Sequence, residues 1–205
     1  MERLVFTTMA TSNSLAARAL LLFESLRAFG GELKNDPGIV LVPKSADPLS
    51  GEVREGFSVL NVRVIPFALD EEARQFPLAS VVYASAEAEG QMKGKTELMA
   101  WMLMDALVLN PPVAFLISQG INYGYRPVHH TLVGSVYEKP LDSFWTLIYQ
   151  HCEVTHDRVF PMETCVRDNT LRPYFNSGLF VVRPEQELLA RWRDHFQWLY
   201  RHPDF

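Results

Sequence analysis

Residues 172–184 read Arg-Pro-Tyr-Phe-Asn-Ser-Gly-Leu-Phe-Val-Val-Arg-Pro, and they form the most informative segment of the chain. The pattern predicts an apolar strand that opens with the small polar triplet Asn176-Ser177-Gly178. Gly178 has no side chain to fill a core, so its presence favours close approach of the backbone to another group. The amide of Asn176 offers both donors and acceptors. An ordinary turn leading into a strand would explain the same residues, so the rest of the chain has to decide between the two.

Length and composition indicate one globular domain over residues 1–205. Apolar residues make up 48% of the chain and charged residues 21%, which are ordinary globular values. A chain of this length buries roughly 70% of the surface that it exposes when unfolded. The last residues directly follow an apolar helix, so we expect a longer parent to carry a further C-terminal element.

Charge and cysteine content narrow the class of function. The formal net charge of −5 argues against a nucleic-acid binder that relies on a basic surface. Cys152 and Cys165 are the only two cysteines and give no disulfide framework, so we predict a reduced, cytoplasmic setting. No apolar segment of the sequence is long enough to predict a transmembrane helix.

Strand-like and helix-like segments alternate along the chain. Short apolar runs predict strands at 3–8, 38–43, 62–67, 113–117 and 175–182. Helical spacing of apolar residues predicts one helix from a cap within 11–13 to residue 29, and others at 95–109, 142–152 and 185–200. This alternation predicts an α/β sheet covered by helices on both faces. Ligands of such sheets bind outside the carboxyl ends of the strands, where we expect the loop after Thr8 and the segment after Ile117 to converge.

The run Phe175-Asn176-Ser177-Gly178 resembles the Phe-Asn-Ser/Ala-Gly strand of GT-A-type glycosyltransferases, the nucleotide-diphospho-sugar transferases. The order of the elements before it supports this resemblance, which covers the chain from Leu4 to about Trp192. The resemblance implies a GT-A-like α/β domain with a mixed, mainly parallel sheet. It also implies a small-molecule sugar nucleotide, such as a UDP-sugar, as partner, together with an acceptor that the sequence does not identify.

The resemblance assigns nucleotide-binding residues to three segments. In the family, the loop after the first strand holds the uracil, and the corresponding residues here are Thr8, Ala10 and Asn13. Simple capping of the following helix is the alternative, because Ser, Thr and Asn are preferred caps. Two further segments contribute residues that lie close to the sugar nucleotide in the family: Lys93, Lys95, Ser118 and Gln119.

The two lysines follow Gly90 in a segment that invites comparison with a P-loop. Only three residues separate Gly90 from Gly94, whereas the Walker A loop needs four. We therefore interpret the segment as a basic entry to the predicted helix at 95–109, where the lysines offset the charge of a diphosphate. Two solvated surface lysines are the alternative.

The sequence departs from the family at its metal site. GT-A enzymes have an apolar strand that ends in Asp-x-Asp, which binds Mn²⁺ or Mg²⁺, and carboxylates suit such hard cations. Ile117 and Gln119 stand in those positions after the strand predicted at 113–117, so we predict no Mn or Mg cofactor. Arg126 and His129 are then available to neutralise the diphosphate, since Arg matches phosphate oxygens in pairs.

Two hypotheses of function follow from the resemblance. In the first, the protein transfers a sugar from a nucleotide donor without the usual metal site, and Arg126, His129, Asn176, Ser177 and Gly178 bind the substrate. In the second, it is a non-catalytic relative that binds a nucleotide, a glycan or a partner protein. Hydrolysis of a sugar nucleotide with and without Mn²⁺ discriminates between them.

Overall fold

The structure is a computed structural model that describes residues 2–127, 134–163 and 170–203. The chain divides into two compact units. The first unit consists of Met1–Gly124 and Gly178–Gln197, and the second consists of Tyr125–Ser177 and Trp198–Phe205. In the described ranges, no helix combines the length and apolar character needed to cross a membrane.

The main sheet has six strands, and a separate pair of short strands forms a second sheet. The strands are β1 (Glu2–Met9), β2 (Gly38–Pro43), β3 (Val62–Phe67), β4 (Thr96–Met102), β5 (Tyr123–Pro127), β6 (Met162–Glu163), β7 (Thr170–Leu171) and β8 (Phe175–Val182). The order in the main sheet is β3-β2-β1-β4-β8-β5, and β6 pairs with β7. Strands β1 to β4 are parallel to one another, whereas β8 runs antiparallel to β4.

Five α-helices accompany these strands: α1 (Asn13–Phe29), α2 (Gly51–Val59), α3 (Ala79–Met92), α4 (Ser143–His151) and α5 (Leu188–Arg201). The core of the first unit forms where α1 and α3 pack on the sheet. Close packing of α1 depends on Gly38 in β2, because a Cβ atom there would lie 2.5 Å from Cε1 of Phe23. The central strands are buried on both faces, as the continuous apolar sequence of β2 predicted.

The beginning of α5 is held by a buried carboxylate. Oε2 of Glu89 in α3 accepts hydrogen bonds from the main-chain N–H groups of Leu189, at 2.9 Å, and Ala190, at 2.8 Å. These groups belong to the first turn of the helix, whose N–H groups have no partner within the helix. Burial raises the pKa of Glu89, and the main-chain hydrogen bonds oppose that shift. Glu89 therefore attaches α5 to α3, and its burial makes the carboxyl group harder to ionise.

Most predicted strands are confirmed, but two predicted elements are wrong. The strands expected at 3–8, 38–43, 62–67 and 175–182 are present. The segment 95–109, predicted to be a helix, instead forms β4, which lies between β1 and β8. Apolar residues at nearly every position satisfied a helical period as well as a buried strand. The strand predicted at 113–117 is a short 3₁₀ helix, Val113–Phe115, and helices α2 and α3 were not predicted.

The second unit is small and is organised around α4. Asp142 caps this helix by accepting a hydrogen bond from the main-chain N–H of Trp145 at 2.8 Å. The indole of Trp145 packs edge-on against Tyr174 with ring centroids 6.1 Å apart. At the other end of the helix, the ring of His151 stacks on Trp198 at 3.6 Å. Aromatic contacts thus connect the described parts of this unit, which also contain the β6–β7 pair.

Candidate functional site

The carboxyl ends of β1, β2 and β4 meet at one edge of the sheet in the first unit. The main-chain N–H of Ala10, directly after β1, donates to the carbonyl of Leu41 in β2 at 2.9 Å. The main-chain N–H of Leu103, directly after β4, donates to the carbonyl of Gly178 in β8 at 3.0 Å. These bonds align the ends of four neighbouring strands. The edge is therefore the place where an open, mainly parallel sheet binds ligands.

Thr8 and Ala10 lie at this edge, as the sequence predicted for the end of β1. Both residues are fully buried. Oγ1 of Thr8 has no hydrogen-bond partner among the residues that the structure describes, which is uncommon for a buried hydroxyl. After them, Ser12 caps α1 by accepting a hydrogen bond from the main-chain N–H of Leu15 at 3.3 Å. The edge thus combines an unsatisfied hydroxyl with the N-terminus of a long helix, which attracts anionic groups.

Asn13 also lies at the edge, and its side chain connects two loops. Its Nδ2 donates to the carbonyl of Pro48 at 3.2 Å, and its Oδ1 accepts from the main-chain N–H of Ser50 at 2.8 Å. The side chain is therefore engaged with the segment between β2 and α2. The primary structural effect of Asn13 is therefore to position this loop. Among the described contacts, one amide hydrogen and one lone pair of its side chain remain for a ligand.

The turn after β4 brings a carboxylate to the same edge. The sequence analysis did not identify this carboxylate. Because β4 ends at Met102, the residues directly after it are Leu103, Met104 and Asp105. The side chain of Asp105 is exposed. The strand expected directly before Ile117 and Gln119 is instead a short 3₁₀ helix, so the reason for aligning these two residues with Asp-x-Asp no longer holds. The signal that could have found Asp105 was the uninterrupted apolar run before it, which is typical of a buried parallel strand.

Gly178 reaches the edge through β8. Its carbonyl oxygen bonds to Leu103, so the glycine lies beside the turn that carries Asp105. Asn176 and Ser177 directly precede it on the same strand, and Asn176 is exposed. The described residues that the structure brings together at this edge are thus Thr8, Ala10, Asn13, Asp105 and Gly178.

The structure places the two predicted lysines at the opposite edge of the sheet. Lys93 and Lys95 lie before β4, and the carbonyl of Lys95 accepts from the main-chain N–H of Glu2, where β1 begins. A seven-residue strand spans about 20 Å, which separates these lysines from the strand ends. Nζ of Lys93 pairs with Oε1 of Glu187 at 2.6 Å, and this hydrogen bond raises the pKa of Lys93.

Ser118 and Gln119 also lie away from the strand ends. Both are exposed, and the carbonyl of Ser118 accepts from Nη2 of Arg183 at 3.1 Å. The same guanidinium pairs with Oε1 of Glu97 at 2.9 Å, next to the first residue of β4. This pairing anchors the Ser118 segment near the start of β4 rather than near its end.

The remaining predicted substrate residues belong to the second unit. Arg126 lies in β5 and is exposed. His129 lies outside the described residues.

A metal site made by the protein alone does not fit this edge. In the parts of the chain that the structure describes, no group of three His, Cys, Asp or Glu residues could hold a metal ion. Hard cations are nevertheless often held by one or two carboxylates together with substrate phosphates. Asp105 fits that second arrangement and cannot form the first.

Comparisons with known proteins agree with this architecture. A family model described as the Rhodobacterales glycosyltransferase domain matches residues 6–204. The structure is similar to the galactosyltransferase LgtC solved in complex with donor and acceptor sugar analogs, with a TM-score of 0.53 and 16% identity over 94% of this chain and 61% of that chain. It is also similar to core-mannan synthase A (CmsA/Ktr4) from Aspergillus fumigatus in its Mn/GDP form, with a TM-score of 0.55 and 9% identity over 98% of this chain and 65% of that chain.

These similarities establish the fold. At such identities they confirm the α/β, mainly parallel architecture of GT-A glycosyltransferases that the sequence predicted. The chain spans less than two thirds of the length of either structure. No curated protein matches the sequence.

Proposed function

This chain belongs to the Rhodobacterales glycosyltransferase domain family, and from that membership we propose that it binds a sugar nucleotide at the carboxyl edge of its main sheet and transfers the sugar to an acceptor. The observation that carries the proposal is the convergence of the β1–α1 loop, Asp105 and Gly178 at this edge. Sheets of this class bind ligands there, and the chain brings polar and glycine residues to it from three separate segments.

Each segment has a distinct task in the proposed binding. The loop from Thr8 to Asn13 receives the nucleotide, with the first turn of α1 as its polar partner. Gly178 lets the donor approach the backbone of β8, since no side chain occupies that space. In transfer, the bond between the sugar carbon and the diphosphate oxygen breaks, and the nucleoside diphosphate leaves with the electron pair. The acceptor hydroxyl oxygen forms the new bond to the sugar carbon, and its proton is released to solvent. Holding both reactants in line lowers the barrier to this step.

A divalent cation would be held at this site by Asp105 together with the donor. The protein would supply the carboxylate oxygen of Asp105, and the remaining protein ligands would be replaced by diphosphate oxygens and water. Such a cation supplies neutralisation of the charge that develops on the leaving diphosphate. Leu103, two residues earlier, has no oxygen in its side chain, so the protein contributes less to this cation than two aspartates would.

Thermal stability in the presence of nucleotides tests the proposal. We expect UDP or GDP to raise the melting temperature of the full chain, with and without Mn²⁺ in parallel samples. A ligand at one hundred times its dissociation constant adds about 2.7 kcal/mol to the free energy of unfolding. No stabilisation by any nucleoside diphosphate at millimolar concentration would contradict it. Binding without hydrolysis or transfer of any sugar nucleotide would instead favour a non-catalytic binding protein.

A further inference from the structure

The second unit contains a cavity of about 360 Å³. Its described lining includes five residues with polar side chains that are aromatic, amide or basic: Tyr137, Tyr149, Gln150, His156 and Arg172. The rest of the described wall is aliphatic apart from one threonine. Small-molecule sites typically occupy about 300–1,000 Å³ and combine an apolar lining with a few polar groups. The cavity therefore has the size and the composition of a small-molecule site.

The guanidinium of Arg172 is held in place from one side. Its Nη1 donates to Oγ of Ser135 at 2.9 Å and to the carbonyl of Val136, and its Nη2 donates to the carbonyl of Lys139 at 2.7 Å. The group also lies 5.9 Å from the centre of the Tyr137 ring. Among the described residues, these bonds use three of the five N–H groups of an arginine, which leaves two for a ligand. The guanidinium is thus held in a fixed position by its described partners, and it keeps N–H groups that a ligand can bind.

The cavity is electropositive in its described lining. None of its lining residues is an aspartate or a glutamate, while Arg172 and, when protonated, His156 are cations. All three partners of the Arg172 hydrogen bonds are neutral oxygen atoms. Burial raises the pKa of Tyr149, and the positive charge of Arg172 opposes that rise. The positive charge of Arg172 therefore acts on the tyrosine, and the described lining contains no carboxylate that would repel an anion.

We propose that this cavity binds an acidic saccharide, that is, a sugar carrying a carboxylate or a phosphate. Arg172 would bind the anionic group, because its planar fork matches carboxylate and phosphate oxygens. The two tyrosine rings supply flat apolar surfaces with polar edges, which suit the faces of a sugar ring, and Gln150 supplies a donor and an acceptor for its hydroxyls. The choice of a saccharide rests on the proposed function, whereas the choice of an anion rests on the lining of the cavity.

Calorimetry on the full chain with four probes tests this proposal. Glucuronate and glucose 6-phosphate represent the two sources of charge, glucose is the neutral analogue, and inorganic phosphate is the anion alone. We expect at least one acidic sugar to bind roughly tenfold or more tightly than both glucose and inorganic phosphate. Equal binding of glucose would overturn the role of charge, and equal binding of inorganic phosphate would overturn the role of the sugar ring.

Variants locate the binding. Arg172→Lys keeps the positive charge but loses the planar guanidinium. We expect it to weaken binding of the acidic sugar by roughly tenfold. Because Arg172 also holds three main-chain and side-chain oxygens, this variant can unfold. Gln150→Glu is the second variant, since it places a carboxylate in the cavity without altering those bonds, and it should abolish binding. Lys139→Ala is the matched control, because it removes an exposed cation whose side chain does not line the cavity. An equal loss in Lys139→Ala and Gln150→Glu would contradict the proposal.

Nucleotide binding separates this proposal from the proposed function. UDP should stabilise Gln150→Glu as much as the unmodified chain, since the two sites use different residues. Stabilisation by UDP without binding of any acidic sugar would reject the cavity proposal alone. Binding of an acidic sugar without stabilisation by any nucleotide would reject the donor site and leave the cavity as a saccharide site.

Discussion

The main-chain N–H of Leu103 donates a 3.0 Å hydrogen bond to the carbonyl oxygen of Gly178. This bond joins the end of β4 to the antiparallel strand β8, beyond the last paired residues Met102 and Leu179. It places the turn that carries Asp105 beside the glycine that the sequence singled out. Two segments more than seventy residues apart in the sequence thus meet at one edge of the sheet.

Substitution of Gly178 tests whether a ligand approaches the backbone of β8. We expect Gly178→Val to abolish UDP binding, because the new side chain occupies the space of the ligand while the hydrogen bond to Leu103 persists. Asn176→Ala should weaken binding by roughly 1–3 kcal/mol through loss of a polar partner. Ser58→Ala, at an exposed position of α2, is the control. Circular dichroism melts come first, and a folded Gly178→Val that binds UDP normally would show that the glycine is only structural.

Thr8→Val tests the unsatisfied hydroxyl at the end of β1. Valine keeps the shape of threonine and removes a buried oxygen that has no partner in the described structure. We expect the free energy of unfolding of the ligand-free protein to rise by about 1 kcal/mol, because the cost of burying that oxygen disappears. UDP affinity should stay unchanged, because the fully buried hydroxyl is not accessible to a ligand. Urea unfolding and calorimetry measure the two effects, and a loss of stability would contradict this interpretation.

Asp105→Asn tests the shared cation. Removing the negative charge should eliminate any increase of UDP affinity that Mn²⁺ produces, since asparagine is a poorer ligand for a hard cation. Affinity measured in EDTA should change little. Glu32→Gln removes an exposed carboxylate at a distant 3₁₀ helix and serves as control. If Mn²⁺ raised the UDP affinity of Asp105→Asn as much as that of the unmodified protein, the cation would have to bind at other residues.

The double substitution Lys93→Ala, Lys95→Ala decides between the sequence-based site and the observed geometry. Lys93 is paired with Glu187, and both lysines lie at the amino ends of the parallel strands. We therefore expect UDP affinity to remain unchanged, whereas the family resemblance predicts a loss. Isothermal titration provides the comparison, and a tenfold loss of affinity would restore the lysines to the nucleotide site.

Glu89 makes stability depend on pH. Its pKa is raised in the folded protein by burial, so the folded state holds the proton more tightly than the unfolded chain. The stabilisation linked to this proton is complete below the unfolded pKa and is lost as pH rises through the folded pKa. We expect the unfolding free energy to decline over that interval, and Glu89→Gln to remove this part of the decline, because glutamine keeps an oxygen acceptor without the charge.

Glu89→Ala is the matched comparison. It leaves the main-chain N–H groups of Leu189 and Ala190 without their acceptor, which should cost about 1–3 kcal/mol. Urea unfolding at a series of pH values distinguishes the three proteins. The same pH dependence in the unmodified protein and in Glu89→Gln would show that another group is responsible.

The sequence predicted part of the candidate site and placed part of it wrongly. Thr8 and Ala10 follow a strand with a clear apolar pattern, and their position at the carboxyl edge needed only the general rule for parallel sheets. Gly178 was found through its triplet. Lys93, Lys95, Ser118 and Gln119 were assigned on the assumption that 95–109 is a helix and 113–117 a strand. Because residues 96–102 form β4, the lysines lie at the opposite edge of the sheet and Asp105 lies just after the end of the strand.

By itself, the sequence determined the α/β class, the bounds of the strands at 38–43, 62–67 and 175–182, and the resemblance to glycosyltransferases. Short apolar runs between turn residues can be interpreted without knowledge of their neighbours. Only the tertiary structure decided that 96–102 is a strand, because an apolar run of this kind is equally compatible with a buried helix. Hydrogen bonding to β1 on one side and β8 on the other resolves that ambiguity, and with it the edge of the sheet at which each charged residue lies.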